Sequence, residues 1–125
     1  MRMLGYVISK YANGKGELIT FDELKLFVLD KPEMIDKQGM HTTKIHETDD
    51  SLTFRVEMKK GNKWNLHLHD CWEVIIVYKG QCIDWENKMT IDEKHQAIIK
   101  PNTLHEIECL TEEALLYVEF KKKIK

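Results

Sequence analysis

The sequence predicts an all-β domain of sandwich or barrel type with one short helix near its N-terminus. Apolar and polar residues alternate with period two from His41 onward, as they do in half-buried strands. Turn signals recur at short, regular intervals between these runs. Before that region only one pattern reads as helix.

That helix is announced by Thr20 followed by Glu23, a pairing in which each side chain can satisfy the other's backbone donor. Leu24, Phe27 and Val28 then recur at helical spacing, and Pro32 after Lys31 marks a stop. A helix over about 21–29 follows, preceded by the turn-forming Asn13-Gly14-Lys15-Gly16. In the later region Leu52, Phe54, Val56 and Met58 alternate with Thr53, Arg55 and Glu57. Further strands are expected at 64–69, 72–79, 82–85, 89–91, 96–99, 105–110 and 114–121. The turns between them include Lys60-Gly61-Asn62, Lys79-Gly80, Glu86-Asn87-Lys88 and Pro101-Asn102-Thr103. The run Val74-Ile75-Ile76-Val77-Tyr78 is apolar on both faces, so its outer face needs a cover, either the N-terminal segment of the same chain or a second subunit.

A chain of 125 residues, 42% hydrophobic and 32% charged, has the size and composition of one packed domain. Its net charge of −2 gives no electrostatic reason to expect nucleic acid as a partner. The basic run Lys121-Lys122-Lys123-Ile124-Lys125 reads as a solvated tail. No stretch approaches the ~20 apolar residues that span a bilayer, and the brief apolar run at 4–8 is too short for the core of a signal peptide. Cys71, Cys82 and Cys109 are odd in number and lack C-x-x-C spacing, which points to free thiols and a cytoplasmic setting.

The chemistry is concentrated in two places. Residues two apart on a strand share a face, so His67 and His69 present two imidazoles side by side. Glu73, past a turn or bulge at Asp70-Cys71-Trp72, can bring a carboxylate back to the same interior on the adjoining strand. His105 follows the turn around Pro101 and can add a third imidazole. Three imidazoles and one carboxylate suit divalent iron, manganese, nickel, cobalt or zinc, and can leave coordination positions open. An isolated His-x-His pair would be read as exposed alternation. His41, His46 and His95 are expected at the surface or in loops, and Cys109 as a small buried residue near the site. Trp64, Trp72 and Trp85 are expected in the core rather than as pocket walls.

The spacing resembles the first sequence motif of the cupins, G-x5-H-x-H-x3-E-x6-G, at Gly61, His67, His69, Glu73 and Gly80. The second cupin motif, P-x-G-x-x-H-x3-N, is matched at His105 alone. Lys100, Asn102 and Cys109 stand at its Pro, Gly and Asn positions. The resemblance covers about 45–121 and implies a double-stranded β-helix, the jelly-roll barrel, with His67, His69, Glu73 and His105 as metal ligands. Residues 1–40 then form an arm carrying the short helix, and 41–125 the barrel, within one structural domain overall. It also implies a metal-dependent protein that acts on a small organic molecule by dioxygenase, decarboxylase or isomerase chemistry. The rival reading is a non-catalytic metal-dependent sensor or binding module for a small molecule. A homodimer is expected, with the outer face of Val74, Ile76 and Tyr78 covered by a second copy or its arm.

Overall fold

The computed structural model describes residues 15–30, 33–35 and 39–123. The apolar run at 4–8, the turn residues Asn13 and Gly14, the stop at Lys31-Pro32, the helix-face residues Phe27 and Val28, and Ile124 and Lys125 lie outside what is described. Among the described residues eleven strands and one helix run in the order β1 (Glu17–Ile19), α1 (Phe21–Asp30), β2 (Glu33–Ile35), β3 (His41–Glu47), β4 (Ser51–Lys59), β5 (Lys63–His69), β6 (Trp72–Lys79), β7 (Gln81–Asp84), β8 (Met89–Asp92), β9 (Ala97–Ile99), β10 (His105–Cys109) and β11 (Glu113–Lys121). They form a five-stranded sheet, β1-β5-β10-β7-β8, and a six-stranded sheet, β2-β3-β4-β11-β6-β9. The fold is the expected jelly roll.

Alternation decides which side chains meet between the sheets. On β4 Leu52, Phe54, Val56 and Met58 are all buried, and on β11 so are Ala114, Leu116, Val118 and Phe120. The two strands pair antiparallel along their whole length, with Phe120 opposite Leu52 and Ala114 opposite Met58. Ile75, Val77, Ile91, Ile107, Cys82 and Cys109 complete the core from the remaining strands.

Two turn positions show why the sequence bends where it does. Gly80 has φ 90°, and a Cβ there would collide with the backbone of Glu113 and with Thr111 Oγ1. Asn102 has φ 61°, so it supplies the left-handed turn at the place where the cupin motif carries glycine.

The expected helix is present and runs from Phe21 to Asp30, with its capping pair formed by Thr20 and Glu23. Three strands were not anticipated: β1, β2 and β3. β1 and β2 are three residues each, and β3 reads HTTKIHE, too polar to stand out as a half-buried strand. Trp85 departs from its expected place in the core. It is 47% exposed, on the outer side of the five-stranded sheet, where its indole N–H donates to Glu108 Oε1 at 2.8 Å. Trp64 is half-buried against the core and Trp72 is half-buried. No described helix is long and apolar enough to cross a membrane.

Candidate metal centre

The four residues expected to act together are brought together. His67 and His69 are the buried end of β5, Glu73 is the second residue of β6, and His105 opens β10. All four are at most 2% exposed. One ligand atom from each lies within 4.8 Å of the others.

The route of Glu73 to this cluster differs from the expectation of an adjoining strand. After His69 the chain bends at Asp70 and Cys71 and passes from the five-stranded sheet to the six-stranded one. Glu73 therefore faces the imidazoles across the interior, from the opposite sheet. His105 is paired directly with His67 between β10 and β5, which sets their rings 4.2 Å apart. The His67 and His69 rings are 4.8 Å apart, and those of His69 and His105 5.3 Å.

Each imidazole is held by its Nδ1. His67 Nδ1 contacts the Asn65 carbonyl at 2.5 Å, His69 Nδ1 the Ile19 carbonyl at 2.9 Å, and His105 Nδ1 the Thr103 carbonyl at 2.9 Å. A carbonyl only accepts, so all three nitrogens donate and carry the proton. In the neutral rings this leaves the Nε2 lone pair for another partner, the usual arrangement around a metal-ligating histidine. Glu73 Oε1 lies 3.0 Å from His105 Nε2 and 3.4 Å from His69 Nε2. Glu73 Oε1 and His105 Nε2 are buried, yet they are not aligned as hydrogen-bond donor and acceptor. Bonds of ~2.1 Å to one ion would place neighbouring octahedral donors about 3.0 Å apart. The donor set, its spacing and these two misaligned buried atoms all fit a divalent cation.

Burial and mutual charge set the protonation of the group. Burial, reinforced by neighbouring His105 and His69, drives the His67 imidazole well below its usual range. Burial also lowers His69, against the pull of Glu73. For His105 burial acts downward too, but the Glu73 carboxylate outweighs it and the imidazole is raised. Burial acts upward on Glu73, and the charges of His105 and His69 override it, so the carboxyl is lowered. Glu73 and His105 thus each favour their charged form, whereas His67 and His69 favour the neutral imidazole. To serve as a ligand, His105 would have to be neutral at Nε2, so metal binding would oppose its protonation.

Around the cluster the wall is apolar. The Phe120 ring stands edge-on to His69 at 4.9 Å, with Phe54 behind it at 5.9 Å. Below His105 the turn is clamped by the β7–β8 hairpin. Asp84 accepts the Glu106 N–H at 3.1 Å, while Asn87 Nδ2 donates to Asp84 Oδ2 at 2.6 Å and to the Leu104 carbonyl at 3.0 Å. Asp84 escaped notice in the sequence, where Ile83-Asp84-Trp85 read only as the end of a strand.

The other candidates are placed elsewhere. His46 and His95 are exposed, and His95 bonds Asp92 at 2.9 Å. His41 is on β3, half-buried, with its Nδ1 3.3 Å from Glu57. Cys109 is buried on the same face as His105 but four positions further along β10, where its thiol donates to the Thr111 carbonyl at 3.2 Å.

No protein-family model matches the chain, and no curated protein matches it in sequence. Solved structures do. KdgF from Halomonas sp. is similar with a TM-score of 0.66 and 15% identity, covering 76% of this chain and 91% of that one. An RmlC-like cupin from Shewanella frigidimarina is similar at a TM-score of 0.64 and 16% identity, over 77% of this chain and 88% of that one. An acetylacetone dioxygenase from Acinetobacter johnsonii is similar at 0.63 and 16% identity, over 74% and 69% of the two chains. Two packed sheets, a His-x-His strand crossing to a glutamate, and these likenesses together identify the architecture of the chain as a cupin fold.

Proposed function

We propose that His67, His69, Glu73 and His105 bind one divalent transition metal, and that the metal engages a small organic molecule. The observation that carries this is the convergence of four buried ligand atoms whose imidazoles are each anchored at Nδ1. Iron, manganese, nickel, cobalt and zinc all accept such donors. Four protein ligands on a six-coordinate ion leave two positions, enough for a bidentate oxygen ligand or for a ligand and dioxygen. A bound ion would supply Lewis acidity or redox chemistry, beside the apolar Phe120 ring that stands edge-on to His69. Similarity to an acetylacetone dioxygenase supports an oxidoreductase on a small oxygen-donor substrate; decarboxylase and isomerase chemistry would use the same open positions.

A second reading, a non-catalytic sensor or binding module, is favoured by one observation. Among the described residues the other buried polar side chains are Asn62 and Asp84, and both are engaged with backbone N–H groups. Neither of these buried groups is thus poised as a general acid or base. Elemental analysis of freshly purified protein, followed by a turnover screen with the metal found, separates these readings. Metal-dependent turnover supports the enzyme, and stoichiometric ligand binding without turnover the module. Protein that neither retains nor takes up metal would sink both.

The same reading makes the chain one structural domain, an arm of 1–40 on a barrel of 41–125, working in the cytoplasm as a homodimer. Support for the dimer comes from the outer face of β6 and β9, where Tyr78 is 70%, Ile98 60% and Ile76 40% exposed. Val74 and Ile98 are paired across the two strands, which makes the apolar patch continuous. A monomer mass by sedimentation equilibrium would rule the dimer out.

A further inference from the structure

The three imidazoles are not held alike. His67 and His105 each donate to a carbonyl two residues earlier on their own strand or turn, Asn65 and Thr103. His69 donates to the Ile19 carbonyl, 50 positions away, in the segment that precedes the barrel. β1 brings this carbonyl into place by pairing parallel with β5, in the register Glu17 with His67, Leu18 with Leu68 and Ile19 with His69.

A second contact fastens the same segment one residue beyond the ligand. Asp70 Oδ1 accepts the Phe21 N–H at 2.8 Å. Phe21 begins α1 directly after the capping residue Thr20, so the carboxylate also meets the positive end of the helix. Ile19, Phe21 and Leu24 are buried beneath it, and Lys122 Nζ lies over the Phe21 ring at 5.3 Å. The bend that carries Glu73 to the opposite sheet therefore begins at the residue that grips the N-terminal segment.

We propose that residues 19–21 form a latch that fixes the tautomer and orientation of His69, and that Asp70 is the positioning residue that holds the latch closed. The inference rests on the metal reading above and adds to it that the N-terminal segment is part of the centre. With Ile19 accepting from Nδ1, the Nε2 lone pair of His69 is aimed at the ion. With the latch released, the ring can carry its proton on Nε2 and turn away. Losing such an outer partner typically weakens metal binding by about 10- to 100-fold.

The test uses the full chain and Zn(II), titrated in competition with a chelator, with Asp70→Ala, Asp70→Leu and Asp70→Asn beside wild type. Long-range proton–nitrogen NMR of the metal-free proteins reads the tautomer of His69 directly. Asp70→Ala and the near-isosteric Asp70→Leu, which lack an acceptor, are expected to bind Zn(II) about tenfold more weakly or worse. In both, the Nδ1–H form of His69 gives way to a mixture. Asp70→Asn keeps Oδ1 as an acceptor, so affinity and tautomer are expected near wild type. If Asp70→Leu folds, keeps the Nδ1–H tautomer and binds Zn(II) within about twofold of wild type, the latch is wrong. If wild type takes up no Zn(II), the metal reading fails, and the tautomer comparison still decides the latch.

Discussion

The two ends of the barrel interior are built by the same strands and do opposite things. On β10 the inward residues run His105, Ile107, Cys109, and on β6 they run Glu73, Ile75, Val77. β11 and β4 match them, with Phe120 and Leu52 level with Glu73, and Leu116 level with Val77. At one end four polar side chains converge; about four residues on, ~13 Å along a strand, the filling is Met58, Leu116, Cys82 and Cys109. Period two decides only that a residue points inward. Position along the strand decides whether it meets ligand atoms or methyl groups. The polar end is tolerated because each imidazole Nδ1 has a carbonyl and Glu73 Oε1 lies 3.0 and 3.4 Å from the Nε2 atoms of His105 and His69.

The contrast breaks first where the chemistry is. His67→Ala/His69→Ala is expected to remove bound metal almost entirely, and His105→Ala or Glu73→Ala to reduce it sharply. Far-UV circular dichroism should remain dominated by strand in each case. Full metal content in the double variant would end the assignment. At the apolar end Leu116→Ala should do the reverse. Leu116 is 0% exposed, so its loss should cost ~2–5 kcal/mol in denaturant unfolding while one metal per chain is retained. A fall in stoichiometry in the folded variant would show that the ends are not independent.

Acidity should sharpen the difference in the metal-free protein. His67 has a lowered pKa, so the unfolded chain binds its proton more readily. Its contribution to stability is full above the ordinary imidazole value of ~6.5 and declines as the pH falls below it. His105 is raised, so its contribution is full below ~6.5 and is lost as the pH rises through its folded value. His69 is lowered as well and acts in the same sense as His67, so the unfolding free energy in chelator is expected to fall from pH 7 to pH 5, and His67→Ala should flatten that fall. A fall unchanged in the variant would assign it to other groups.

The smallest effects belong to groups outside both clusters. Burial pushes the Cys71 and Cys82 thiols up to about 12. All three free cysteines should react slowly with a thiol reagent when folded and fully after denaturation without reductant. His95→Ala, at an exposed site, should leave metal content unchanged.

Much of this was legible because it is local. The alternation of Leu52, Phe54, Val56 and Met58, the spacing of His67, His69 and Glu73, and the capping pair at Thr20 and Glu23 lie within a few residues; the structure buries the first set, brings the second together and forms the third. His105 was found through the turn before it, although Asn102 replaces the glycine. What escaped was long-range or short. β1 has three residues and no alternation to display, and its value lies in a partner 50 positions away. Asp84 looks like any strand-end carboxylate until the turn before His105 folds back onto it. Trp85 was misplaced because size suggested burial, while its polar indole edge has Glu108 to meet at the surface.

The bend at Asp70 and Cys71 has a mechanical meaning as well. Because Glu73 belongs to one sheet and the three histidines to the other, an ion among them would act as a rivet through the sandwich. It would tie positions 67 and 105, on neighbouring strands, to position 73 across the gap, and so close chain loops much as a covalent cross-link does. Pulling the sheets apart at that end would then require the ion to leave, whereas the opposite end is already joined by the chain itself, where β4 runs into β5, β6 into β7 and β10 into β11.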